Sequence, residues 1–208
     1  MRRRITRVTS LVAVSAAAQF AAACGDTDAG VRVLGTVAPG VEGAPASGTT
    51  SEFSTTGTVD GEVFLDPQGA YTMTISSDWS RMSGVADDDI EFWALDSSQV
   101  GFADNVNVLT QDAPDMDLDD YMDISAKNMG GLQVLDQYTV VGTNGNELGV
   151  LESQGTPLGA ATDTPIHFLT VVDVLDEVAI VATLSATPES FEARRSTAEP
   201  YLLTLQAT

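Results

Sequence analysis

The sequence predicts an α+β fold, an antiparallel β-sheet with two amphipathic helices packed on it, and three observations carry the prediction. Seven stretches between Tyr71 and Ala186 have the composition and spacing of strands, several with polar and apolar residues in strict alternation. Most of the connections between them are of hairpin length, too short for the crossovers that a parallel sheet needs. Two further stretches carry apolar residues at spacings of three and four and must bury that stripe against the sheet.

Taken in order, structure is expected to start near Gly61 or Val63. Tyr71-Thr-Met-Thr-Ile75 alternates as a half-buried strand, and Ser76-Ser77-Asp78 closes it before Trp79. Asp87-Asp88-Asp89 reads as an exposed acidic turn, followed by the strand Ile90–Leu95. Asn105-Val106-Asn107-Val108 has the period of a strand with one covered face. Ala113-Pro114-Asp115 then breaks the run, since proline has no N–H to give to a ladder. Asp117 is suited to cap a helix, and Asp119 and Asp120 place negative charge at its positive end. Leu118, Tyr121, Met122, Ser125 and Met129 form its inner stripe, and Gly130-Gly131 stops it.

Four strands are expected next: Leu132–Val141, Glu147–Gln154, Pro165–Leu175 and Val178–Ala186. Asn144-Gly145 marks a hairpin between the first two, and Asp176-Glu177 a tight turn between the last two. Thr187-Pro188-Glu189 is expected to open a helix, with Thr187 as cap and Pro188 at its first position. Phe191, Ala198, Leu202 and Leu205 give its stripe, and Pro200 is expected to break it, leaving a short segment over Tyr201–Gln206.

The N-terminus reads as an address rather than as part of the fold. Met1–Arg7 is basic, and Val8–Ala23 is a run of Val, Leu and Ala too short to span a bilayer comfortably. It ends in Ala21-Ala22-Ala23-Cys24, and small residues before a cysteine resemble the lipobox of bacterial lipoproteins. That resemblance implies cleavage after Ala23, acylation of Cys24 and anchorage to the outer face of the cytoplasmic membrane. The alternative is an ordinary secretory peptide with Cys24 incidental. Residues 24–60, rich in Gly, Pro, Ala, Ser and Thr, are expected to be a flexible linker. Its root-mean-square reach is about 30–35 Å. The organisation is therefore a signal peptide over 1–23, an acylated linker over 24–60 and a folded domain over 61–208.

Nine Lys and Arg against 30 Asp and Glu give a net charge of −21. Loss of Arg2, Arg3, Arg4 and Arg7 with the leader deepens it to −25. A surface this acidic repels nucleic acid and anionic lipid head groups, so neither is an expected partner. The acidity reads as solubility, or else as a docking face for a cationic partner. With one cysteine the chain can form neither an internal disulfide nor a cysteine-based zinc site, so the fold must rest on its core.

Three motifs stand out: Gly69-Ala-Tyr71-Thr-Met-Thr-Ile75 with Asp78-Trp79, Phe102-Ala-Asp-Asn105-Val-Asn107-Val-Leu, and Leu118-Asp-Asp-Tyr121. Together with the lipobox and the linker they resemble the LpqN-type lipoproteins of actinobacteria, which share the PsbP-like fold, an antiparallel β-sheet sandwiched by helices. The resemblance spans about residues 61–207. It implies a cell-envelope lipoprotein with no catalytic residues to carry over. The fold serves a photosystem subunit and a nuclear-transport factor alike, so it does not choose a function.

Candidate sites are few. His167 is the only histidine, and a hydrolase would need a nucleophile beside it; the sequence holds no Gly-x-Ser-x-Gly elbow. Asp115, Asp117 and Asp119 have the spacing that opens a calcium loop, but Asp120 and Ala126 stand where its glycine and glutamate belong. Helix capping accounts for these acids without metal. Trp79, Phe92, Trp93, Phe102 and Met122 are candidates to contact an apolar ligand, with core packing as the plainer reading. No cofactor or metal is expected. The expected function is a non-enzymatic envelope lipoprotein that presents a binding domain for a protein or lipid. The alternatives are a lipid or glycolipid carrier with an apolar cavity and an envelope serine hydrolase using His167.

Overall fold

The computed structural model describes residues 59–82, 90–98, 102–157 and 164–208. The leader, Cys24, the linker up to Thr58 and the Asp87–Asp89 turn lie outside the described residues. The strands are β1 (Glu62–Leu65), β2 (Tyr71–Ile75), β3 (Ser80–Arg81), β4 (Ile90–Ala94), β5 (Asn105–Asp112), β6 (Gln133–Val141), β7 (Glu147–Gly155), β8 (Ile166–Leu175), β9 (Val178–Ala186) and β10 (Gln206–Ala207). The helices are α1 (Leu118–Lys127) and α2 (Phe191–Leu202).

Strands β3-β4-β5-β9-β8-β7-β6 form an antiparallel sheet, and β1-β2-β10 form a second, smaller one. Helix α2 and the small sheet cover one face of the large sheet. Val106, Val108, Val150, Leu169, Val171, Ile180 and Leu184 meet Tyr71, Met73, Phe191 and Leu202 there. Helix α1 covers part of the other face, where Tyr121, Met122 and Met129 pack on Leu109, Leu151, Val172 and Val181. This is the antiparallel α+β sandwich that the sequence predicts. Gly149 lets α1 come close, since a Cβ there would stand 2.6 Å from the Met122 sulfur. Strand β9 lies at the sheet's centre and reads almost continuously apolar because both its faces are covered.

Local choices explain most boundaries. Asp117 caps α1 through its side chain, which accepts from the Asp120 N–H at 2.9 Å. The β8–β9 turn is two residues long, and Asp176 and Glu177 take φ of 50° and 70°, the left-handed pair of a type I′ hairpin. Non-glycine residues adopt that region at a cost of roughly 1–2 kcal/mol each. Replacing Asp176-Glu177 by Asn-Gly is therefore expected to raise stability by about 1 kcal/mol, read as a higher urea midpoint at unchanged slope.

The C-terminal segment departs from expectation in two ways. Residues 188–190 form a turn and the helix proper starts at Phe191, because the Thr187 N–H and the Ser190 hydroxyl are both drawn to the buried carboxylate of Asp104. Pro200 does not break the helix, which runs to Leu202. The bond that proline cannot make would have gone to Ser196, an exposed residue, while Leu202, Leu203 and Leu205 anchor the end in the core. Beyond it the chain forms a strand rather than a helical turn. The buried carboxylate of Asp173 accepts from the Ala207 N–H and from Asn146 Nδ2, both at 2.8 Å, and holds β10 in place.

Burial also shapes the response to alkali. It pushes the Tyr121 phenol up to about 12 and raises Tyr71 and Tyr138 as well. The folded state therefore favours the neutral phenols. The stability they contribute is complete below the ordinary value of 10.0 and is lost as pH rises through the raised values. Ultraviolet titration should show these three tyrosines resisting ionisation until a cooperative alkaline unfolding exposes them together.

Candidate binding site

The face of the large sheet that carries α1 also holds two cross-strand rows of neutral polar residues. In the first, Phe92 lies opposite Asn107, Asn107 opposite Thr183, and Thr183 opposite Thr170. Two residues along, Asn105 lies opposite Ser185, Ser185 opposite Phe168, and Phe168 opposite Ser153. Directly opposed side chains in such a sheet stand about 4.5–5.5 Å apart at Cβ, so the rows form one continuous patch. Neither row contains a charged side chain. All six polar members are buried, from Ser153 at 0 % to Thr170 at 7 % exposure, as are Phe92 and Phe168.

Burial of a polar group is tolerated when it is hydrogen-bonded, and here that condition is half met. Asn105 Nδ2 donates to the Ala103 carbonyl at 2.9 Å, Asn107 Nδ2 to Asn105 Oδ1 at 3.4 Å, and the Thr170 and Thr183 hydroxyls pair at 3.2 Å. Asn107 Oδ1, Ser153 Oγ and Ser185 Oγ find no hydrogen-bond partner within the protein, and neither do the Tyr71 hydroxyl, Ser125 Oγ and Asn146 Oδ1 elsewhere in the domain; the rows are where three such atoms lie on one face of adjacent strands. Each such orphan costs about 1–3 kcal/mol relative to a satisfied or apolar replacement. The patch can therefore offer one carboxamide acceptor and two hydroxyls to a polar molecule.

The sequence concealed this patch for a definite reason. Asn105 and Asn107 alternate with Val106 and Val108 and read as the solvent side of a strand with one covered face, yet both faces are buried. The available signal was Thr170, Thr183 and Ser185 inside runs otherwise almost wholly apolar, since a buried polar residue informs more than an exposed apolar one.

His167 points to the opposite face, at the rim of the α2 side. Its Nε2 lies 2.9 Å from Glu152 Oε1, and its ring stacks on Phe191 with centroids 3.6 Å apart. Arg195 donates from Nη1 to Glu152 Oε2 at 2.8 Å, from Nε to Glu199 at 3.1 Å and from Nη2 to the Tyr138 hydroxyl at 3.2 Å. Burial works against the Arg195 charge, but the Glu199 hydrogen bond and the carboxylates of Glu199 and Glu152 outweigh it. The guanidinium therefore holds its proton more tightly than usual. This cluster ties α2 to β6, β7 and β8.

The five aromatic and methionine candidates are divided. Trp79 and Trp93 pack on the α2 side, where Trp79 meets Tyr201 at 5.1 Å and Trp93 meets Phe64 at 5.3 Å. Phe92 and Met122 belong to the other face, and Phe102 lies half-buried just before β5. Only Phe92 borders the polar rows directly. Among the described residues no group of three or more His, Cys, Asp or Glu converges on a metal position, and no helix is long and apolar enough to cross a membrane.

No protein-family model matches the sequence, and no curated protein matches it. Among solved structures the chain is similar to a protein from Bacteroides thetaiotaomicron, at 13 % identity and a TM-score of 0.50. The match covers 72 % of this chain and 49 % of that one, so the chain spans about half its relative's length. It is also similar to the cyanobacterial PsbP, CyanoP, of Synechocystis sp. PCC 6803, at 15 % identity and a TM-score of 0.49 over 76 % of this chain and 98 % of that one. LpqN of Mycobacterium tuberculosis, involved in cell envelope biogenesis, matches at 13 % identity and a TM-score of 0.47 over 71 % and 90 %. At such identities a likeness is one of fold, and no ligand or activity follows from it.

Proposed function

We propose that the chain is a lipid-anchored protein of the outer face of the cytoplasmic membrane, of the LpqN type, whose domain works by binding an envelope component. The observation that supports binding is the patch of Asn107, Ser153 and Ser185, buried polar groups with unanswered hydrogen-bonding atoms. Sequences break the rule of polar satisfaction mainly where function requires it. Cys24 after Ala21-Ala22-Ala23 supports the anchor, and the linker that follows supports a domain held clear of the head groups.

Two features weigh against the alternatives. Glu152 holds one nitrogen of the His167 imidazole and Phe191 one of its faces, and among the described residues no serine or cysteine is hydrogen-bonded to the ring, so the nucleophile that a hydrolase base would activate is missing. The aromatic and methionine residues that an acyl cavity would need are split between two faces of one sheet. Nucleic acid is a poor partner, since Arg81, Lys127, Arg194 and Arg195 each sit in an ion pair with a carboxylate.

Replacing Cys24 by alanine tests the anchor. The wild-type protein should fractionate with membranes and carry the mass of a diacylglyceryl group, and the variant should leave the membrane fraction. A variant that stays membrane-bound, or an unmodified wild-type cysteine, would contradict it.

A further inference from the structure

We infer that the polar patch takes a neutral, polyhydroxylated ligand, a sugar or a short glycan, in preference to an acyl chain or an anion. This rests on the binding reading above and names its ligand class. The chemistry of the two rows carries it. Carboxamides and hydroxyls both donate and accept, which is the mixed pattern that sugar hydroxyls present. Asn105, Asn107, Ser153, Thr170, Thr183 and Ser185 supply such groups and no charge. An anion calls for cationic partners, yet Arg194 and Arg195 both belong to α2 on the other face, each held by a carboxylate, and Lys127 of α1 is exposed at the helix's end and paired with Asp123. An ammonium ligand calls for a carboxylate, and neither row contains one.

An acyl chain would cover Asn107 Oδ1, Ser153 Oγ and Ser185 Oγ without answering any of them, so it gains nothing over the closed state. Phe92 at one end of the first row and Phe168 within the second are apolar surfaces fit for the C–H face of a sugar ring. The composition thus has the two halves of a sugar site, convergent neutral hydrogen-bonding groups and flanking aromatic rings. The three orphan atoms are shielded from solvent in this structure, so a ligand reaches them through a local opening.

The patch also makes a stability argument. Replacing an unsatisfied buried group by an apolar one of similar shape is neutral or stabilising in a patch that is merely structural or functional alike, so stability alone decides nothing. Stability and binding read together do decide. In a functional patch Asn107→Leu raises the unfolding midpoint and removes binding.

The test follows the side-chain amide resonances of Asn105 and Asn107 in the full mature protein by NMR, assigned through their loss in single variants. The probes are a panel of neutral mono- and disaccharides, with octanoate and inorganic phosphate as controls. We expect a saturable shift of these amides with at least one sugar and none with the controls. Asn107→Leu and the milder Ser185→Ala should each weaken that binding by about tenfold or more while leaving the fold intact. A response to octanoate or phosphate in place of sugar would overturn the ligand class and leave the binding reading standing. Silence towards every probe, with Asn107→Leu merely stabilised, would mean that ordered water serves the patch and would overturn the sugar assignment, while the binding reading falls only if protein extracted from its own envelope carries no bound component.

Discussion

Replacing Asp104 by alanine is expected to lower the stability of the domain by about 3 kcal/mol. Its carboxylate is fully buried and accepts hydrogen bonds from α2 and the turn before it: from Arg194 Nε at 2.8 Å, the Ser190 hydroxyl at 2.9 Å and the Thr187 N–H at 3.3 Å. It thus caps the turn that leads into α2 and neutralises an arginine on that helix's first turns, pinning α2 to the start of β5. Alanine removes all three at once and strands the guanidinium, whose other carboxylate, Asp96, lies at 3.6 Å. Arg194 keeps some access to water, which places the effect at the lower end of the range for a broken buried pair. Asp104→Asn retains the shape and part of the hydrogen bonding, and about 1–2 kcal/mol should be lost. Urea unfolding followed by circular dichroism measures both. A loss below about 1 kcal/mol for the alanine variant would show that α2 docks through its apolar face alone.

Phe191→Ala should be as damaging, with a loss of about 3–5 kcal/mol. The ring is fully buried at the start of α2, in the core with Ala198 and Leu202, and roofs His167 at 3.6 Å. Its removal leaves a cavity and admits water to the His167–Glu152 pair. Phe191→Leu, which keeps most of the volume, should lose under about 1.5 kcal/mol. A double-mutant cycle with His167→Ala isolates the stacking itself, expected at about 0.5–1.5 kcal/mol. Additive losses in that cycle would reduce the stack to mere proximity.

The sandwich was largely legible in the sequence, because its signals are local. The alternation of Tyr71–Ile75, the Asp117 cap, and the two acidic residues between Leu175 and Val178 each specify their own geometry within a few residues. What was not legible depends on partners distant in sequence. The start of α2 is displaced by Asp104, some ninety residues earlier in the chain, and β10 exists because Asp173 and β2 hold it. Strands β1 and β3 are short pieces whose pairing comes from β2 and β4 rather than from their own four and two residues.

The candidate site was less legible than the fold. An alternating Asn-Val-Asn-Val run does not say whether its polar side meets water or a second layer, and only tertiary burial distinguishes the two. The aromatic residues, conspicuous in sequence, turned out to serve two separate faces. The hydroxyls that share the patch with Asn107 come from three other strands, and no sequence window contains them together.

The most direct test of the account is native mass spectrometry of the protein extracted from its own envelope in mild detergent. The account predicts a mass bearing the Cys24 anchor together with a bound envelope component, lost in Asn107→Leu although that variant remains folded. Anchored protein with no bound component under any extraction, and indistinguishable from the variant, would contradict the claim that this domain is a binding module.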